Sequence, residues 1–127
     1  QITELKAKIN NFETIPVVPL PKQLSATLRD YQKDGYYWLH FLRDFGFGGI
    51  LADDMGLGKT VQVLAFLSKL AEKNPAGTYL IVVPTSLIFN WEAEVAKFAP
   101  SIKILSVYGS NRVKSTKGFE EIYYLYC

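Results

Sequence analysis

The segment Gly56-Leu57-Gly58-Lys59-Thr60 constrains this chain more than any other. It stands between a short apolar run, Gly49-Ile50-Leu51-Ala52-Asp53, and a long stretch from Lys59 to Lys73 that is apolar almost all round. The run reads as a buried strand, and the stretch as a helix buried on more than one side. Their junction matches the second half of the phosphate-binding pattern G-x-x-x-x-G-K-[ST]. Glycines let backbone N–H groups turn toward phosphate oxygens without a Cβ in the way. A helix starting near Lys59 aims the positive end of its dipole at the same phosphates. Lys59 supplies a mobile cation for the β- and γ-phosphates, and Thr60 an oxygen for Mg²⁺. The pattern's first glycine falls on Asp53, so the loop departs from the strict form.

The flanking segments supply a frame for this loop. Ile2, Leu5, Ile9 and Phe12 recur at steps of three and four, one face of an N-terminal helix. Pro16, Pro19 and Pro21 then impose an extended linker. A helix is predicted from about Asp30 to Arg43, with Tyr31, Gly35, Trp38, Leu39 and Leu42 on its buried side and Leu28 packed ahead of it. Gly46, Gly48 and Gly49 end it. After Pro75 and Gly77, Thr78 to Val83 is a second continuous apolar strand, closed by Pro84. A helix follows with Ile88, Trp91, Val95 and Phe98 on one face, capped by Thr85 or Ser86 and stopped by Pro100. Ile102 to Tyr108 is a third strand and Ile122 to Tyr126 a possible fourth. Strand and helix alternate, which predicts an α/β fold with right-handed parallel crossovers.

Composition excludes several classes. The formal net charge of +2 is too small to argue for nucleic acid by itself. The single cysteine, Cys127, allows no internal disulfide and no Cys/His metal cluster. No uncharged apolar run is long enough for a bilayer, and the first residues do not read as a secretion signal, so no membrane is expected.

Three blocks carry a resemblance to a known family. They are Leu28-Arg29-Asp30-Tyr31-Gln32 with Gly35 and Trp38-Leu39; Gly48 to Thr60, with its acidic pair before Met-Gly-Leu-Gly-Lys-Thr; and Ile81-Val82-Val83-Pro84-Thr85-Ser86-Leu87 with Asn90-Trp91. In this order they resemble the Q motif, first ATPase motif and motif Ia of the Swi/Snf-type ATPases, over Leu24 to Tyr108. The acidic pair is that family's habit, which accounts for Asp53. The resemblance implies part of a RecA-like, P-loop lobe over residues 24–127, preceded by the helix and linker of residues 1–23. It implies ATP contacts from Arg29, Gln32, Asp54, Met55, Gly56, Leu57, Gly58, Lys59 and Thr60, with Lys59 and Thr60 catalytic and Thr60 on Mg²⁺. Gln32 carries an amide that can pair with adenine N6 and N7. Thr85 and Ser86 would meet the DNA backbone, their hydroxyls and a helix N-terminus being suited to phosphate. The implied parent is a double-stranded-DNA translocase acting on DNA-bound proteins, in a bacterial cytoplasm or a eukaryotic nucleus.

Two departures stand out: Asp30 occupies a position where the family usually has proline, and Gly118 to Cys127 fits the family poorly. His40 builds no triad, Glu120-Glu121 follows no apolar strand, and Arg112, Lys114 and Lys117 read as a solvated loop. The acidic pair on a later strand and the second-lobe arginines that hydrolysis needs are absent. The expectation is therefore weak nucleotide binding without useful turnover, and self-association through an unpaired sheet edge. Another phosphate-loop enzyme and a noncatalytic interaction module remain alternatives.

Overall fold

The structure, a computed structural model, describes residues 15–52, Gly56, 58–108 and the backbone of Tyr123–Tyr126, with Thr3 as a helical residue. The expected N-terminal helix otherwise lies outside the described residues, as does the loop carrying Arg112, Lys114 and Lys117. Three helices form the body: α1 (Asp30–Asp44), α2 (Lys59–Lys73) and α3 (Ile88–Phe98), with a 3-10 turn, Thr85–Leu87, leading into α3. Helix α2 packs against both α1 and α3. That middle position explains why its sequence lacks a polar face: Val61, Leu64, Ala65 and Leu70 are all buried.

Two clusters hold the body together. Leu28, Tyr36, Val61 and Ala65 form one, between α1 and α2. Leu64, Val95 and Ala99 form the other, between α2 and α3, with Trp91 and Ile104 against it. The proline-rich segment is extended, as expected, and it is docked. Val18, Leu20 and Leu24 pack on the first cluster. The Tyr36 hydroxyl donates to the Pro19 carbonyl oxygen at 2.8 Å. Further along, the Ser25 N–H donates to the carbonyl oxygen of Phe98 at 2.7 Å. Proline carries no N–H, so such a segment needs few ladder partners and can lie across helices as a strap.

Helix α1 turns a different stripe inward from the one its apolar residues suggest. Gln32, Tyr36 and His40 are its buried residues, one turn apart, while Tyr31 is exposed. The stripe is displaced by one position because aromatic contacts and amide hydrogen bonds, rather than aliphatic area, define it. The His40 ring meets Tyr36 edge-on at 4.6 Å between centroids and Phe66 at 4.8 Å. Gly35 sits on this interface where a Cβ would collide with Gln62 Oε1 of α2, so it permits close helix approach.

Strand formation follows expectation in part, at the third and fourth apolar runs, Ile102 to Tyr108 and Ile122 to Tyr126. Ile104–Val107 forms β1 and Tyr123–Tyr126 forms β2, paired in parallel with Ile104 opposite Tyr123 and Val107 opposite Tyr126. The divergent tail thus supplies a strand. Residues 49–52 and 78–81, by contrast, join no ladder among the described residues, and Val82 makes only an isolated bridge. A strand is defined by its neighbours. Ile50, Leu80 and Val82 are 85%, 63% and 72% exposed, so these apolar runs lack the covering layers that a buried parallel sheet requires.

The helix α3 start also differs. Neither Thr85 nor Ser86 caps it with a side chain, and both are exposed. The Leu87 N–H instead donates to the Pro84 carbonyl at 2.8 Å, so the 3-10 turn satisfies the helix entrance with backbone alone. No helix among the described residues is long and apolar enough to cross a membrane.

Candidate nucleotide site

The end of α2 that begins at Lys59 is where the predicted chemistry gathers. Gly58 immediately precedes the helix with φ +77°, and Gly56 has φ +83°. Both lie in the left-handed region that glycine enters without strain. Gly58 is confined for a second reason. A Cβ there would collide with Gln32 Nε2 on α1. The Gln32 Oε1 accepts the Arg29 N–H at 2.9 Å, closing the first turn of α1. Gln32 is therefore buried against the loop, not solvated. On the other side, Gln62 is completely buried, and its Nε2 donates to the Gly58 carbonyl oxygen over a long 3.4 Å. Two glutamines from two helices bracket one glycine.

Around this point lies a cavity of about 820 Å³. Arg29, Gln32, Gly56, Gly58, Lys59 and Thr60 all line it. These are six of the expected nucleotide contacts, drawn from α1, the loop and α2. Asp54, Met55 and Leu57, the other three, lie outside the described residues. Thr85 and Ser86 do not line this cavity; they form the exposed turn ahead of α3. The cavity's composition suits a nucleoside polyphosphate. Arg29 and Lys59 offer cations, Thr60 a hydroxyl, the start of α2 N–H groups that have no carbonyl partner within the helix, and Val61, Leu87 and Phe98 apolar wall. A triphosphate with its cation fits that donor set, Thr60 being the hydroxyl that would face a divalent ion.

The same cavity is lined by Asn90 and Glu94 of α3, which sequence reasoning did not select. The signal was present in the spacing. Leu87, Asn90, Glu94 and Phe98 follow at three, four and four, a helical stripe adjacent to the apolar one. Only the packing of α3 beside α2 reveals that this stripe faces a site.

His40 lies elsewhere, between α1 and α2. Burial holds its pKa down to about 4, and Lys73 adds to the effect, with Arg43 and Lys69 lowering it further against the opposing pull of Asp44. It is a packing residue, with no hydrogen-bond partner for Nε2 among the described residues. No group of three or more His, Cys, Asp or Glu placed to hold a metal occurs among the described residues.

Comparison with known proteins gives this geometry its context. A family profile described as the SNF2-related domain matches residues 31–123. The chain is 50% identical over 115 residues to the helicase SWR1 of Eremothecium gossypii, covering 88% of this chain and 8% of that protein. It is 43% identical over 115 residues to a Bacillus subtilis protein named as a putative ATP-dependent helicase/translocase, covering 90% of this chain and 12% of that one. Among solved structures, the SWI2/SNF2 ATPase core of Sulfolobus solfataricus in complex with double-stranded DNA aligns with a TM-score of 0.75 at 36% identity. That alignment covers 87% of this chain and 23% of the solved one.

Proposed function

The chain belongs to the SNF2-related family of helicase-like ATPases, and we propose that its cavity is the ATP site of a motor that moves along double-stranded DNA and displaces bound protein. The observation that carries the reading is the convergence of Arg29, Gln32, Gly56, Gly58, Lys59 and Thr60 on one cavity at the start of α2. In this reading the N–H groups at Gly58 and the first turn of α2 cradle the phosphates. Lys59 offsets their charge, and Gln32 reads the adenine edge. Thr60 would hold Mg²⁺, which would spread the charge of the terminal phosphates. Arg29 lies beside Gln32 and supplies a second cation to the site. The groups that activate water and stabilise charge during transfer are not among these residues, so the role this reading gives the cavity is nucleotide binding.

Thr85 and Ser86 support a DNA-facing role. Their hydroxyls are exposed and are not consumed by capping, which leaves them available to phosphate oxygens. Exposed Ile50, Leu80 and Val82 support a second reading, that the isolated chain self-associates through its uncovered apolar side chains. A clean monomer by light scattering at high concentration would count against it.

The deciding measurement is equilibrium binding of labelled ATP to the chain and to Lys59→Ala. Saturable binding that the substitution weakens at least about tenfold, and that GTP competes for poorly, is the expected result. Binding that is indifferent to Lys59→Ala would sink the ATP-site reading. Capture of duplex DNA with no nucleotide binding at all would point to a noncatalytic module.

A further inference from the structure

Helix α3 divides its surface between two tasks. Ile88, Val95 and the following Ala99 enter the core, with Trp91 half-buried beside them. The adjacent stripe, Leu87, Asn90, Glu94 and Phe98, lines the cavity that begins at the glycine-rich loop. Glu94 is the single carboxylate among the cavity's described lining residues, where Arg29 and Lys59 are the cations. It is half-buried and forms no ion pair with another described residue.

An ionised carboxylate only accepts hydrogen bonds. Beside a polyphosphate it would repel its neighbour, and most of the adenine edge, N1, N3 and N7, offers acceptors too. The sugar is the part of a nucleotide that presents two adjacent hydroxyl donors to one carboxylate. The acidic residue of dinucleotide-binding folds meets ribose on the same chemical grounds. Glu94 also enters from α3, not from the loop or α2, whose first residues form the phosphate side.

We propose that Glu94, with Asn90 one turn before it, binds the ribose hydroxyls and makes this cavity select ribonucleotides over deoxyribonucleotides. The inference rests on the ATP-site reading above and adds the part of the substrate that the loop motifs leave unread. Asn90 contributes an amide that can both donate and accept, which suits a hydroxyl pair whose second member needs an acceptor or a donor. A charge-assisted hydrogen bond of this kind is among the stronger ones, and a partner deprived of it stays desolvated.

The test is competition against labelled ATP on the 127-residue chain, with ATP, dATP, GTP and inorganic tripolyphosphate as competitors. The unaltered chain is expected to bind dATP about tenfold more weakly than ATP, the size of one charge-assisted hydrogen bond. Glu94→Ala should bring the two within about twofold while leaving tripolyphosphate competition unchanged. Glu94→Gln, which keeps an acceptor oxygen and the side-chain volume, should retain part of the preference. Equal competition by ATP and dATP in the unaltered chain overturns the proposal, as does a preference that survives Glu94→Ala. A change in the ATP-to-GTP ratio in place of the ATP-to-dATP ratio assigns Glu94 to the base, and also overturns it. Failure of the ATP site itself reads differently: Lys59→Ala then has no effect, or no saturable ATP binding is found, and this inference falls with it.

Discussion

Gly58 and Gln32 approach so closely that a Cβ on the glycine would collide with the glutamine's amide nitrogen. The loop glycine and the first helix are thus fitted to one another, one in the left-handed conformation and the other buried against it. The pattern G-K-T explains why glycine suits the phosphates. The contact with Gln32 adds a second demand, imposed by a residue 26 positions earlier in the chain.

Gly58→Ala should therefore be costly twice. The positive φ alone costs about 1–2 kcal/mol for an L-residue with a side chain, and the collision displaces Gln32 as well. Denaturant unfolding should show a loss of at least that size, with ATP binding reduced alongside. A variant as stable as the parent would show that the loop relaxes freely away from α1.

Gly35→Ala offers a test of sign. Helix propensity alone predicts a gain of about 1 kcal/mol. The new Cβ would meet the Gln62 side chain, which is wholly buried and so would have to shift within the core. Net destabilisation is expected. In a Gln62→Ala background the obstacle is gone, and Gly35→Ala should become stabilising. A double-mutant cycle by urea unfolding reads this as a coupling between the two sites. Simple additivity would refute the contact.

His40 predicts an acid-sensitive core. Its pKa falls from 6.5 to about 4 on folding, so the unfolded chain holds its proton more tightly than the folded one. Stability is unaffected above the unfolded value, declines as pH drops below about 6.5, and has lost the full contribution below about 4. The shift corresponds to roughly 3 kcal/mol. His40→Phe keeps the edge-on contacts with Tyr36 and Phe66 and should flatten the slope of unfolding free energy between pH 6.5 and 4. An unchanged slope would assign the acid response to other groups.

Thr85→Ala and Ser86→Ala separate two roles. Loss of a helix cap costs about 1 kcal/mol. Since the backbone turn does that work here, each substitution should change stability by less than about 0.5 kcal/mol. Under the DNA-facing proposal, the double substitution should still weaken duplex binding, read by fluorescence anisotropy at fixed salt. A stability loss of a full cap with unchanged DNA affinity would reverse both assignments.

The helices were legible in the sequence because a helix satisfies its hydrogen bonds within its own segment. Lys59–Lys73 emerged with both ends as expected, set by Gly58 before it and Asn74-Pro75 after it. The strands were legible only as apolar runs. Whether such a run becomes a strand depends on partners elsewhere: the expected runs at 102–108 and 122–126 pair with each other, while the described residues of those at 49–53 and 78–83 join no ladder. The site divided along the same line. Residues in a contiguous motif could be selected by their chemistry. Asn90 and Glu94 share a helical spacing that the sequence displays, but that this stripe faces the cavity depends on how α3 lies beside α2. The buried side of α1 was misjudged by one position because Gln32 and His40, both polar, are drawn inward by specific partners.

Helix α2 belongs to both apolar clusters, contributing Val61 and Ala65 to one and Leu64 to the other. It cannot tilt toward either neighbour without opening a gap against the other. The helix that would carry the phosphates is therefore the stationary anvil of this assembly. Any rearrangement that nucleotide provokes must be expressed by the parts laid against it: α1 through Gln32, and α3 through its cavity-facing stripe.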